Sequence, residues 1–359
     1  MKKLLALILA LTLALGTVAC GNSAPANDGA AGVSGDTAVP AAEGMQETPD
    51  MVLRLSEDQS PDFPTTQGCQ KFADLVYERT NGRIKIEVYD SGTLGGTTAV
   101  AEQLQYGAID LLRGGAAPLA QFSPTLNVFS LPFLFTSAEE ANEVLNSTDI
   151  GEQIFADFGD YDLVYLAEGD NGMRHVSTVK SWGQIEKADD VIGLKIRVPQ
   201  SQMYTDCWST LGATPVALAL TELTTALSNG TAQAQDNATY HEVANATWDD
   251  IGYFSFINYM WMGCTMAANK TAWGKLNETT QNVLREKAKE AAQFSFDCIA
   301  EDNVTARKTM EEGGVQFCDN PDIDSFKKKL DIPAYYTRYA SEAWYDQSLV
   351  DTIYNYGNK

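Results

Sequence analysis

Histidine is nearly missing from this chain, with two in 359 residues, His175 and His241. Catalytic triads and imidazole-built metal sites both draw on that residue type. His241 lies in the helical-looking run "ATYHEVANA" and reads as structural, and His175 follows Arg174 with no orienting motif around it. GxSxG, HExxH and P-loop signatures are absent too. Positive charge is scarce, with 25 Lys and Arg against 48 Asp and Glu and a formal net charge of −23. A phosphate backbone needs a basic surface, so nucleic acid is excluded as a partner. Docking of the protein surface on anionic lipid is disfavoured for the same reason. A small anion is not excluded, because salt screens the general repulsion beyond roughly 8 Å and a local cationic pocket dominates within that distance.

No two cysteines have CxxC spacing. Apart from Cys20 there are five, Cys69, Cys207, Cys264, Cys298 and Cys318, an odd number that cannot all pair. Scattered buried thiols are the expectation, with pairing left open, and neither a metal site nor a cofactor is expected. Only one long apolar run exists. "LLALILALTLALG", Leu4 to Gly16, follows the basic Lys2 and Lys3. It is too short for an ordinary transmembrane helix, which needs about 20 apolar residues. It ends in "TVAC", with small Ala19 before Cys20. That resembles a bacterial lipoprotein signal. It implies a signal peptide over 1–19, cleavage before Cys20, a lipid on its thiol, and an extracytoplasmic chain anchored to the cell membrane. An ordinary signal peptide cleaved nearby is the alternative, and Thr17, where Leu is more usual, is a departure. Residues 20–50 contain no aromatic residue and are rich in Gly, Ala, Pro and acidic side chains, a composition suited to a flexible tether.

From residue 51 strand and helix patterns alternate. "MVLRLSE" and "RIKIEVY" alternate apolar and polar residues as strands do, and the Cys69, Phe72, Leu75 and Val76 spacing between them is helical, ending at Asn81-Gly82. Thr97 to Tyr106 reads as a helix and "AIDLL" as a further strand, a β-loop-α-β order that implies a parallel or mixed sheet covered by helices. "DLVYLAE", "GLKIRVP" and "ATPVAL" read as more short strands. Residues 278–312 hold no Gly or Pro and stop at Gly313-Gly314, which predicts one helix about 50 Å long, able to touch two domains. Three arginines stand at expected strand ends: Arg113 before Gly114-Gly115, Arg174 after Gly172, and Arg197 inside "GLKIRVP". Each can be a salt bridge to one of the many carboxylates. Together they suit capture of a carboxylate, because ligands of open α/β sheets collect at strand carboxyl ends.

These runs carry a resemblance. "FADLVYERTNGRIKIEVYDSGTLGG", "LQYGAIDLL", "FSLPFLF", "GMRH", "VIGLKIRVPQS", "LGATPVALALTEL" and "AQDN" occur in the order found in the extracytoplasmic solute-binding subunits of tripartite ATP-independent periplasmic (TRAP) transporters. The chain resembles that family over about 51–315. The resemblance implies an α/β, two-domain periplasmic-binding-protein-like fold with a ligand cleft and a long domain-spanning helix. Domain I would hold 51–171 plus 261–313, and domain II 172–260 plus 314–359. By position, Arg197 matches the arginine that pairs with the ligand carboxylate, Arg174 the second cleft arginine, and Asn237 the asparagine closing a DGQEN-like run. Arg113 would line the cleft from the first domain. Gln235 belongs to the DGQEN-like run, Leu220 and Glu222 to the run beside the ligand, and Glu57 and Gln59 to the loop after the first strand. That run departs from the pattern at Gln233 and Ala234, Leu220 replaces an aromatic, Thr224 replaces a Tyr, and the segment after "AQDN" is shortened.

The expected function is therefore not enzymatic. The chain would capture an organic acid, with a sugar acid such as a uronate favoured, and deliver it to membrane-embedded TRAP permease subunits. A C4-dicarboxylate ligand is the alternative, and a secreted enzyme acting on acidic sugars the more distant one.

Overall fold

A computed structural model describes residues 48–147 and 150–357. The expected signal peptide, the Cys20 lipidation site and the tether as far as residue 47 lie outside the described residues.

One nine-stranded mixed sheet forms the frame, in the order β2-β1-β3-β8-β4-β7-β5-β6, with β9 beside β8. Its strands are β1 (Met51–Ser56), β2 (Ile84–Tyr89), β3 (Leu111–Gly115), β4 (Leu163–Val179), β5 (Lys195–Val198), β6 (Thr214–Ala217), β7 (Ala234–Asn237), β8 (Ile251–Asn269) and β9 (Gln316–Cys318). β1 pairs in parallel with β2 and β3, and β5 in parallel with β6 and β7. Between these two parallel groups run the long antiparallel strands β4 and β8. Leu163–Asp170 of β4 pairs with Gly263–Asn269 of β8 on the β3 side, and His175–Thr178 pairs with β7 on the other. The register slips between Asp170 and Met173 and again between Arg174 and Val176, where the two strands cross from one half to the other.

The expected strand at "DLVYLAE" is thus only the start of a 17-residue strand, and Arg174 lies inside it rather than between two strands. Asn171-Gly172 looks like a turn in sequence, but pairing with β8 carries the strand through it. Gly172 makes this possible. Its φ is +92°, and a Cβ there would stand 2.4 Å from the Cβ of Ala238.

Helix α1 (Pro64–Arg79) starts with proline at its first turn and buries Cys69, Phe72 and Val76. Helix α2 (Thr97–Gln105) buries Val100, Ala101 and Leu104. The predicted long helix is Glu278–Glu312, started by Asn277, whose side chain accepts the N–H of Thr280, and ended at Gly313. Its first half packs Leu284, Ala288 and Ala291 against Leu53, Leu55, Phe72 and Val76. Its second half packs Ile299 and Ala306 against Phe63 and Tyr240, and Met310 against Ile251 and Phe254. One rigid rod therefore backs both halves of the sheet. All five cysteines beyond Cys20 are free thiols, with Cys69, Cys207 and Cys264 buried. No helix of the described residues is long and apolar enough to cross a membrane.

Candidate functional site

A cleft opens where the carboxyl ends of the parallel strands meet the crossing of β4 and β8. Glu57, Asp58 and Gln59 follow β1, Gly115 closes β3, Pro199 and Gln200 follow β5, and Leu218, Ala219 and Leu220 follow β6. Asn237 ends β7, and Asn171, Arg174, Met262 and Cys264 come from the crossing strands. Thr97 and His241, from helices, complete the polar lining. Parallel strands place their ligand sites at these ends because the loops there are free to vary while the sheet fixes their roots.

Of the residues expected from sequence, the fold brings Glu57, Gln59, Arg174, Arg197, Leu220 and Asn237 to this cleft. Two others stand behind it. Gln235 is fully buried, accepts the side-chain N–H of Asn237 at 3.0 Å and donates to Thr247 Oγ1 at 3.3 Å. It orients Asn237 instead of reaching the cleft, because the two residues, two apart in β7, share one face of the sheet and Gln235 stands one pleat back from the strand's carboxyl end. Arg113 does not line the cleft from the first domain either. It is 3% exposed and paired with Glu57 Oε2 at 3.2 Å. In β3 it lies opposite Met266, on the face covered by α1 and the long helix. Gly114 serves packing too, since a Cβ there would meet Thr97 Cγ2 at 2.5 Å.

The three arginines have different electrostatic roles. Arg174 is spent on Asp236, with Nε to Oδ2 at 2.9 Å, Nη2 to Oδ1 at 3.1 Å, and a further bond to the Asp236 carbonyl. Its remaining nitrogen reaches Met262 Sδ, and Tyr204 lies 5.0 Å from the guanidinium in cation–π geometry. Arg113 is spent on Glu57. Arg197 is 3% exposed, donates from Nε and Nη2 to the Leu218 carbonyl at 3.1 and 2.8 Å, and has no carboxylate within ion-pair distance among the described residues. Burial, then the neighbouring charge of Arg174, lowers its pKa to about 10. A buried cation destabilised in this way is relieved by an incoming anion.

The acids around it are held differently. Burial pushes the Glu57 carboxyl up to about 7, although Arg113 beside it works the other way. Its Oε1 accepts the backbone N–H groups of Asp58 and Gln59 at 3.1 and 3.3 Å. Asp58, half-buried, has Oδ2 fixed by Thr97 Oγ1 at 2.8 Å and Thr97 N at 3.3 Å, at the first residue of α2. Burial raises its pKa as well.

Sequence reasoning missed Asp236, Asn171 and Met262, and took His241 as structural. His241 does line the cleft, 1% exposed, with burial holding its ring well below the ordinary histidine range. The helix Thr239–Ala244, which begins two residues after β7 ends at Asn237, carries His241 to the cleft. No cluster of metal-ligating side chains exists among the described residues.

The family model described as bacterial extracellular solute-binding protein, family 7, matches residues 55–342. Among curated relatives, the 2,3-diketo-L-gulonate-binding periplasmic protein of Escherichia coli is 29% identical over 77% of this chain and 84% of its own. The C4-dicarboxylate-binding periplasmic protein of Rhodobacter capsulatus is 27% identical over 74% and 78%. Among solved structures, a TRAP periplasmic solute-binding protein from Polaromonas, bound to D-erythronate, superposes with a TM-score of 0.80 at 26% identity, covering 85% of this chain and 98% of that one. Another, from Chromohalobacter salexigens with bound D-glucuronate, gives 0.80 at 25% identity, covering 85% and 99%.

Proposed function

We propose that this chain, which belongs to family 7 of the bacterial extracellular solute-binding proteins, captures a sugar acid with a single carboxylate and hands it to the membrane-embedded permease of a TRAP transporter. The observation that carries this reading is how the three arginines are paired. Arg113 and Arg174 are paired with the carboxyl groups of Glu57 and Asp236, which leaves Arg197 as the one arginine of the three without a carboxyl partner among the described residues. One unpaired guanidinium suits one carboxylate, which it can grip with two parallel N–H bonds. Asp58, Gln59, Asn171 and Asn237 in the lining are polar and able to bond hydroxyls, and Pro118, Leu218, Leu220 and Met262 supply apolar wall beside them. Glucuronate and erythronate, the ligands of the two similar structures, each combine one carboxylate with several hydroxyls. A C4-dicarboxylate, the ligand named for the Rhodobacter relative, is the second reading. Its second carboxylate would meet Asp58 instead of a free cation.

The same reading makes the chain an extracytoplasmic lipoprotein, held to the membrane by a lipid on Cys20 and reaching out on its 20–50 tether. What supports this is the order of Lys2-Lys3, the apolar run and the "TVAC" end. The two halves joined at the β4–β8 crossing act as domains I and II, Arg197 and Asn237 belonging to the second. Binding without turnover is expected.

The test is a thermal-shift comparison of D-glucuronate and D-galacturonate with succinate and malate, at matched concentration and ionic strength. At about a hundredfold excess over Kd, a ligand adds roughly 2.7 kcal/mol. Larger shifts from the uronates are expected. Larger shifts from the dicarboxylates would remove the single-carboxylate reading and leave family membership untouched.

A further inference from the structure

We propose that Asn171 is a specificity-determining residue of this cleft, a carboxamide locked so that its N–H edge reads an oxygen of the ligand. The proposal rests on the reading of the cleft as a sugar-acid site. Asn171 is 3% exposed and lies at the register slip where β4 crosses between the halves. Its Oδ1 is approached by three groups, the hydroxyl of Tyr240, His241 Nε2 at 3.1 Å and Gln59 Nε2 at 3.4 Å.

All three act as donors. Gln59 presents its amide nitrogen because its Oε1 already accepts from Thr65 Oγ1. His241 is a neutral ring, so the proton that meets Asn171 sits on Nε2. The tyrosine hydroxyl rotates to donate. With its oxygen engaged by three donors, the carboxamide cannot flip without facing N–H against N–H. Its nitrogen is thereby turned to Met262 Sδ, 3.6 Å away and only a weak acceptor. The second N–H has no partner among the described residues, and Asn171 lines the cleft. A ligand oxygen there completes the amide, while a methylene there leaves a buried donor unsatisfied.

The lock also spans the fold. Gln59 comes from the loop after β1, and Tyr240 and His241 from the helix after β7. The amide is therefore aimed only when both halves hold the arrangement seen here.

The experiment is a cycle of side chain against ligand hydroxyl, read by calorimetry on the full chain. Wild type and Asn171→Ala are titrated with D-glucuronate and with its 2-, 3- and 4-deoxy analogues. The expected result is that Asn171→Ala weakens D-glucuronate about tenfold and weakens one deoxy analogue hardly at all, because the bond is already missing there. Tyr240→Phe should lower the same discrimination by a smaller factor, since one of three donors is lost and the amide regains freedom. An equal loss on all four acids, with or without a lowered melting temperature, would make Asn171 merely structural and overturn the proposal. Failure of wild type to bind D-glucuronate would instead strike the sugar-acid reading, and this inference with it.

Discussion

Arg174 and Asp236 grip each other in a two-pronged ion pair, at 2.9 and 3.1 Å, with side chains 1% and 0% exposed. The Tyr259 hydroxyl donates to the same Asp236 carboxylate, and Trp208 donates to that hydroxyl at 3.1 Å. The pair is therefore part of the frame of the second half as well as of the cleft wall. Arg174→Met strands a buried carboxylate and should cost roughly 3–5 kcal/mol of stability. Combining Arg174→Met with Asp236→Asn should cost clearly less than the sum of the single changes, as expected for partners in one network. Urea denaturation of the three variants measures this, and strict additivity would count against the pairing.

Arg197 should behave in the opposite way. Its guanidinium has no carboxyl partner among the described residues, so Arg197→Ala relieves a buried cation while giving up two bonds to the Leu218 carbonyl. Stability should stay within about 1 kcal/mol of wild type. Binding of D-glucuronate should weaken by roughly 2–5 kcal/mol, the cost of removing one side of a buried charge pair. Arg197→Lys should also bind poorly, because an ammonium cannot reproduce the two-pronged contact. If calorimetry found the lysine variant as tight as wild type, bidentate capture would be refuted.

The contrast between these arginines was not legible in the sequence. The place of Arg197 near a strand end was readable because "GLKIRVP" alternates so plainly, while its pairing with a ligand carboxylate was implied only by the resemblance to the TRAP solute-binding subunits. The pairing of Arg174 was not readable, since nothing distinguishes Asp236 among 48 acidic residues until β4 and β7 pair. Arg113 was misplaced for a related reason. Alternation shows that β3 has two faces, but not which face α1 and the long helix will cover. The long helix itself was readable residue for residue, because it is a local property of a run without Gly or Pro ended by Gly313-Gly314. β4 and β8 are the reverse case, as their length comes from pairing with each other across a segment with turn-like composition.

Gly172 tests that crossing. Gly172→Ala places a Cβ at a φ of +92° and 2.4 Å from Ala238. The backbone alone costs roughly 1–3 kcal/mol, and the collision adds overpacking of similar size. Gly193 has a φ of +80° with nothing within 4 Å of its would-be Cβ, so Gly193→Ala supplies the strain without the clash. The melting temperature should fall further for Gly172→Ala than for Gly193→Ala. Equal falls would mean that the strands can separate from Ala238 at no cost.

The pH dependence of stability follows from buried carboxyls and histidines acting in opposite directions. Burial pushes Glu168, 5% exposed in β4, up to about 8, and Glu57 up to about 7, from an ordinary 4.5. Above 4.5 the unfolded chain has released these protons while the folded chain still holds them, so stability falls as pH rises toward those values. His175 is lowered to about 3, by burial and then by Arg174, and His241 is lowered well below its usual range. Below about 6.5 the unfolded chain protonates these rings and the folded chain does not, so stability falls as pH drops. Exposed acids with lowered values, Glu87, Asp189 and Asp319, matter only below the ordinary carboxylate range. Above about pH 7 the unfolded rings are mostly neutral and the carboxyls outweigh them, so the protein should be more stable at pH 7 than at pH 8. Glu168→Gln keeps the shape of the side chain and removes its titration, and should flatten that slope in urea denaturation at the two pH values. Unchanged steepness in the glutamine variant would show that Glu168 is already ionised in the folded protein at neutral pH.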